Sequence, residues 1–221
     1  MHSNPRPNGW SVSPLSDDGA GGPSHALWKS FASPLLACSS AIVGGGLLEL
    51  NWVFNATVAT QYLHPDPVEH ALSIASELQL MGGGACLLTA VDVEVNARFA
   101  TEDGVIVMAT AGIRSMGWAA VAPADEVLRP GTINIVVEVP VPVSRAALVN
   151  LVITATEAKA QYFAEAGHQA TGTPTDAIVV LCPQGPVAMD GEYGGPRSRW
   201  GSVVARVVLA ALHARDREID E

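Results

Sequence analysis

Basic residues are scarce in this chain. Lys and Arg total 12 against 22 Asp and Glu, for a formal net charge of −10. Phosphate backbones and anionic bilayers repel such a chain, so nucleic acid and membrane surfaces are excluded as partners. Cysteine is scarce too. Cys38, Cys86 and Cys182 are far apart, form no CxxC pair and are odd in number, which argues against a disulfide framework. Each sits in an apolar run and reads as a small buried hydrophobe; Cys38, just before Ser39-Ser40 and a glycine run, is the one with some claim to a site. No apolar run reaches the roughly 18 residues of a membrane span. The first 25 residues hold no apolar h-region, so the expectation is a reduced, cytoplasmic setting. HExxH, histidine pairs at ligand spacing and GxxxxGK[ST] are all missing, so neither a metal centre nor a phosphate loop is expected.

Apolar residues, by contrast, make up 48% of the 221 positions and charged ones 15%. That is ample material for one domain's core and poor material for disorder. Residues 1–26, rich in Pro, Gly, Ser and Asn, read as a flexible tail, 27–214 as a single domain, and 215–221 as a frayed charged end. Cys38 to Thr60 reads as β-rich, broken by Gly44-Gly45-Gly46, which permit a turn, a bulge or close approach of backbone to a ligand. Asp66-Pro67 opens a helix with an N-cap and a proline at its first position. Strands follow over Ala85–Val91 and Val105–Ala109, the second entered by the Glu102-Asp103-Gly104 turn. Ile133–Val139 is mostly β-branched, as in a strand covered on both faces. Ser144 caps a long helix to about Ala166, Ala177–Leu181 is the next strand, and a last helix runs from Gly201 to Ala214. The class is α/β, leaning to α+β: a single domain with a mixed or largely antiparallel sheet layered with helices.

The densest polar group is Thr171-Gly172-Thr173-Pro174-Thr175-Asp176, between the long helix and a strand. Asp176 there is a candidate general base, cation ligand or partner of a threonine hydroxyl, or a turn aspartate bonding its own backbone. Thr171 and Thr173 offer hydroxyls for nucleophilic attack or substrate contact. On the helix, Glu157 and Lys159 lie about 200° apart, and the Leu148-Leu151-Ala155 stripe puts Lys159 nearer the buried side. His64 sits in a turn between strand and helix, where an imidazole can shuttle protons. Asn51 and Asn55 interrupt an apolar stretch and must be bonded if buried. Asp92, Glu94 and Asn96 alternate at a strand's end and share one face on that reading.

TEAK at 156–159 and ATGTPTDA at 170–177 resemble the adenosylcobinamide amidohydrolase family (CbiZ type). The order of the other short motifs agrees: Gly44-Gly45-Gly46, Asn51 with Asn55, Tyr62-Leu63-His64-Pro65-Asp66-Pro67, Thr89-Ala90, Asn96-Ala97, Thr110-Ala111-Gly112, Gly131-Thr132-Ile133-Asn134 and Gly201. The resemblance spans roughly 35–214, and Pro174 departs from it where a small residue is expected. It implies hydrolysis of the amide joining adenosylcobyric acid to its aminopropanol arm, in corrinoid salvage. Asp176, Thr173, Glu157 and His64 would then lie near the reacting amide. Gly44, Gly45, Gly46, Asn51, Asn55, Lys159 and Thr171 would hold a corrinoid whose cobalt belongs to the substrate, in a hollow wide enough for the ring. No cofactor of the protein's own is called for, and a homo-oligomer is left open. A silent corrinoid-binding module and an amidohydrolase for another amide are the alternatives.

Overall fold

The computed structural model describes residues 4–16, 24–62, 64–120 and 131–214. Among these, nine strands form one mixed sheet: β1 (Asn4–Pro5), β2 (Ser11–Pro14), β3 (His25–Ser39), β4 (Gly46–Thr57), β5 (Gly84–Thr89), β6 (Arg98–Glu102), β7 (Val105–Ala111), β8 (Ile133–Glu138) and β9 (Ala177–Cys182). Four α-helices accompany them: α1 (Pro67–Glu77), α2 (Val93–Asn96), α3 (Arg145–Glu165) and α4 (Arg199–His213). The α/β class and mixed sheet are those the sequence predicts.

The long strand β3 organises the sheet. One edge pairs with β4 along most of its length. The other edge pairs first with β2, through Trp28 to His25, and then with β9, through Leu36 to Ser39. The register breaks between Ser30 and Leu35, where Pro34 has no N–H to give a ladder. From β9 the order continues β8-β7-β6, while β4 carries β5 in parallel on its far side. The β8–β9 pair is parallel as well, as strands joined through a helix can be.

Both faces of the sheet are buried, which explains the near-continuous apolar runs. On β8, Ile133, Ile135 and Val137 face α3 and α4, while Val136 faces inward. On β9, Ile178, Val180 and Cys182 point to the helices and Val179 and Leu181 inward. On the other half, Trp52, Phe54 and Ala56 pack outward against α1, and Leu50 and Val53 inward. The sheet therefore curls around an inner core, with α1 outside one half and the α3–α4 pair outside the other.

The segment read as a tail over 1–26 is corrected over 4–16. Trp10 is buried in the inner core, edge-on to Phe99 with centroids 6.2 Å apart, and Val12 follows it inward. One large apolar side chain provides the anchoring energy that the polar punctuation hides. Asp92, Glu94 and Asn96 are corrected likewise. Strand β5 ends at Thr89, and Asp92 caps the short helix α2 by accepting from the Glu94 N–H. The C-terminal tail of 215–221 lies outside the described residues.

Candidate active site

One end of the curled sheet collects an unusual density of polar side chains. Asn55 on β4, Thr110 on β7 and Asn134 on β8 follow inward-facing Val53, Met108 and, in reverse, Val136 at the two-residue period of a strand. All three are fully buried. The Asn55 amide donates to Thr110 Oγ1 at 2.9 Å, and the Asn134 amide donates to Asn55 Oδ1 at 2.8 Å and to the Leu88 carbonyl at 2.9 Å. This relay ties the two halves of the sheet together where they approach. Asn55 is therefore spent on the fold, which corrects its reading as a substrate ligand.

Two cavities open above this layer. One, of about 410 Å³, is lined by Ser40, Tyr62, Cys86, Thr89, Thr132 and Thr175 among others, and among the described residues no charged one borders it. The other, of about 330 Å³, includes Thr60, Asp92, Asn96, Gly112, Arg114 and Thr132. Thr132 and Ala90 border both. Burial pushes the Cys86 thiol up to about 12, so it stays protonated and is no nucleophile. The Thr132 and Thr175 hydroxyls meet at 2.6 Å, at the boundary between the two spaces.

The TEAK and TGTPTDA motifs lie directly behind this hydroxyl pair. Lys159, on the buried side of α3, forms an ion pair with Asp176 Oδ2. The same oxygen accepts the Thr173 N–H at 3.0 Å. Asp176 Oδ1 accepts the Ile133 N–H at 2.8 Å and is 2.5 Å from Thr173 Oγ1, which is also 2.7 Å from the Gly131 carbonyl. Gly172 covers the pair so closely that a Cβ there would lie 2.5 Å from Lys159 Nζ. Every oxygen of Asp176 is thus engaged, and its bonds clamp the loop 171–176 to the start of β8. Pro174 fits at the second position of the Thr173–Asp176 turn, where its fixed φ is favourable.

The remaining sequence candidates separate clearly. Glu157 is exposed on the outer face of α3; its seat there, about 160° from Ala155, follows from helix geometry. Thr171 Oγ1 accepts the Ala119 N–H at 3.0 Å and does not border either cavity. Asn51 lies just before the Trp52–Gly84 pairing, at the end of β5 remote from Thr89, with its side chain against Gly82. Gly44, Gly45 and Gly46 make the β3–β4 turn. Gly44 has φ +73° and presses on Gly84 so tightly that a Cβ would overlap its carbonyl. Gly44 thus serves chain packing, and none of the three borders either cavity. His64 stacks on His70 at 4.8 Å and on Tyr62 at 6.3 Å, beside the Tyr62 edge of the larger cavity. Its Nδ1 accepts the Asp66 N–H at 3.1 Å, so in the neutral ring the proton sits on Nε2.

Thr132, Thr175, Thr89 and Ser40 were not singled out by sequence reasoning. Thr89, Thr132 and Thr175 did belong to motifs of the family resemblance, and Thr175 to the polar turn 171–176 as well.

A mixed sheet with hydroxyls and an uncharged cleft at a strand-end rim is an arrangement typical of small-molecule enzymes. The chain belongs to the adenosylcobinamide amidohydrolase family, whose sequence model matches residues 17–216, and is accordingly an enzyme that hydrolyses an amide. It is 27% identical over 179 residues to the adenosylcobinamide amidohydrolase of Methanosarcina mazei, covering 78% of this chain and 86% of that one. It is 38% identical over 142 residues to the enzyme of the same name from Halobacterium salinarum, covering 59% of each. A crystal structure of a Pyrococcus horikoshii OT3 protein matches with TM-score 0.47 and 13% identity, over 92% of this chain and 83% of that one.

Proposed function

We propose that this chain hydrolyses the amide between the corrin carboxyl and the aminopropanol arm of adenosylcobinamide, at the boundary of the two cavities. One water is consumed; adenosylcobyric acid and aminopropanol leave. The observation that carries the reading is the Thr132–Thr175 hydroxyl pair, 2.6 Å apart where both spaces meet. The family membership supplies the substrate class.

Cavities of about 330 and 410 Å³ stand at the low end of drug-sized pockets. A corrinoid is far larger. The arm and its amide enter, while the ring rests outside on the rim, which revises the hollow expected for the whole guest. On this reading Thr132 and Thr175 contact the reacting amide. Asp176, Lys159 and Thr173 act through them, as positioning residues that hold loop 171–176 against β8. His64 Nε2–H, beside the Tyr62 edge of the larger cavity, offers a hydrogen bond to the substrate on the amine side. Nothing supports Glu157 near the amide. We take the setting to be cytoplasmic, in keeping with three unpaired cysteines.

The test is release of adenosylcobyric acid from adenosylcobinamide by purified protein. Thr132→Val and Thr175→Val should each lower kcat about 100-fold or more, on the scale of a lost proton-transfer or hydrogen-bonding group. Their unfolding midpoints should stay near wild type, because both hydroxyls are partly or fully exposed. Full turnover in both variants would overturn the assignment. Binding without any turnover in the wild type would favour a silent corrinoid-binding module.

A further inference from the structure

The two cavities that meet at Thr132 differ in chemistry. Cys86, Leu87 and Leu88 contribute to the larger, and among the described residues no charged side chain borders it. The smaller carries Asp92, Asn96 and Arg114. Among the described residues, Arg114 is the only cation lining either space. It lies in the single turn Ile113–Ser115, held beside the reacting boundary by the Gly112 N–H bond to the Thr132 carbonyl at 2.9 Å. Gly131 allows that closeness: a Cβ there would lie 2.9 Å from the Ser115 nitrogen and 3.4 Å from that of Arg114. The ion pairs of the described residues do not include Arg114.

Hydrolysis of an amide turns a neutral acyl group into a carboxylate. A protein of net charge −10 is a poor host for that anion unless a cation waits locally. A guanidinium presents paired N–H donors that match a carboxylate's two oxygens. The departing arm, a short carbon chain with one hydroxyl, suits the uncharged cavity instead.

We propose that the cavities divide the substrate at its scissile amide: the polar one receives the acyl side, where Arg114 binds the carboxylate product, and the apolar one receives the amine arm. This rests on the hydrolase reading above and adds the direction in which the amide lies. Asp92 opposes the anion from the same cavity. Its repulsion is tempered because its Oδ1 accepts the Glu94 N–H at 2.9 Å.

Calorimetric titration with adenosylcobyric acid, alongside steady-state kinetics on adenosylcobinamide, tests the division. Arg114→Ala should weaken acid binding at least tenfold, while the KM for the amide changes less than about threefold, since a hydrogen bond to a charged group is worth more than one to a neutral group. Arg114→Lys should fall between, and Asp92→Asn, which keeps a capping side chain, should tighten the acid. Added salt should weaken acid binding to the wild type and not to Arg114→Ala. Equal weakening of acid and amide, or no change in either, overturns the proposal. Absence of wild-type turnover would sink the hydrolase reading instead; the amide's Kd, then directly measurable, would replace KM in the same comparison.

Discussion

Lys159 and Asp176 are 8% and 10% exposed at their side chains, and burial at that level makes their mutual dependence large. Removing one partner leaves the other's charge in a poorly solvated place, at a cost of about 3–5 kcal/mol. Lys159→Met should therefore lower the free energy of unfolding in urea by roughly that amount and loosen loop 171–176, so that kcat falls with it. A variant as stable and as active as wild type would show the clamp to be dispensable. A second buried pair, Lys29 with Glu138 at 2.7 Å, lies on β3 and β8, away from Thr132. Burial raises the Glu138 carboxyl above its ordinary value, and the Lys29 hydrogen bond opposes the rise. The folded state thus holds this proton more tightly than the unfolded chain does. Its stabilising contribution is complete below the ordinary carboxylate value of 4.5 and fades as pH climbs through the raised one. Glu138→Gln should flatten the fall of stability with pH above 4.5. An unchanged slope would assign the effect to other groups.

Elements hold their places through a few close approaches. Gly84 opens β5 opposite Trp52 on β4, and a Cβ on it would stand inside the Trp52 indole. That indole stacks on Phe54 with centroids 5.8 Å apart and donates to the Gly82 carbonyl at 3.2 Å. It therefore cannot swing away without breaking both contacts. Gly84→Ala should cost about 1–3 kcal/mol, as overpacking does, and should be read as a drop in melting temperature; a neutral result would mean that β5 shifts freely. The helices were more legible. Ser144 accepts from the Ala147 N–H and Asp66 from the Val68 and Glu69 N–H groups, both at the caps read from sequence. Strand β6 and helix α2 were not legible, because five and four residues are too few to show a period.

At the scale of the whole molecule, the inner core is closed by the start of the described chain. Trp10, near the start of the described chain, packs among Leu27, Leu50, Met108 and Val136, contributed by four different strands. Trp10→Ala should cost about 3–5 kcal/mol, the range for a large aromatic removed from a core, measured by denaturant unfolding. A loss under about 1 kcal/mol would restore the view of this segment as a tail. The same curl brings β5 against β8 and sets Thr89 and Thr132 around one space. No helix of the described residues is long and apolar enough to cross a membrane.

Composition and periodicity were enough to determine the α/β class, three of the helices, most strand positions and the turn that carries Asp176, since caps, turn residues and apolar alternation act over a few residues. The side of α3 that buries Lys159 also follows from counting around a helix. Which polar groups share a space was decided only in three dimensions. Thr132 and Thr175 are 43 residues apart, and Asn55 and Asn134 are 79 apart; no local pattern records such meetings. The curl of the sheet made Asp176 a clamp and gave the cleft to Thr132 and Thr175. Side-chain direction is set by neighbouring strands, and those neighbours come from distant parts of the chain.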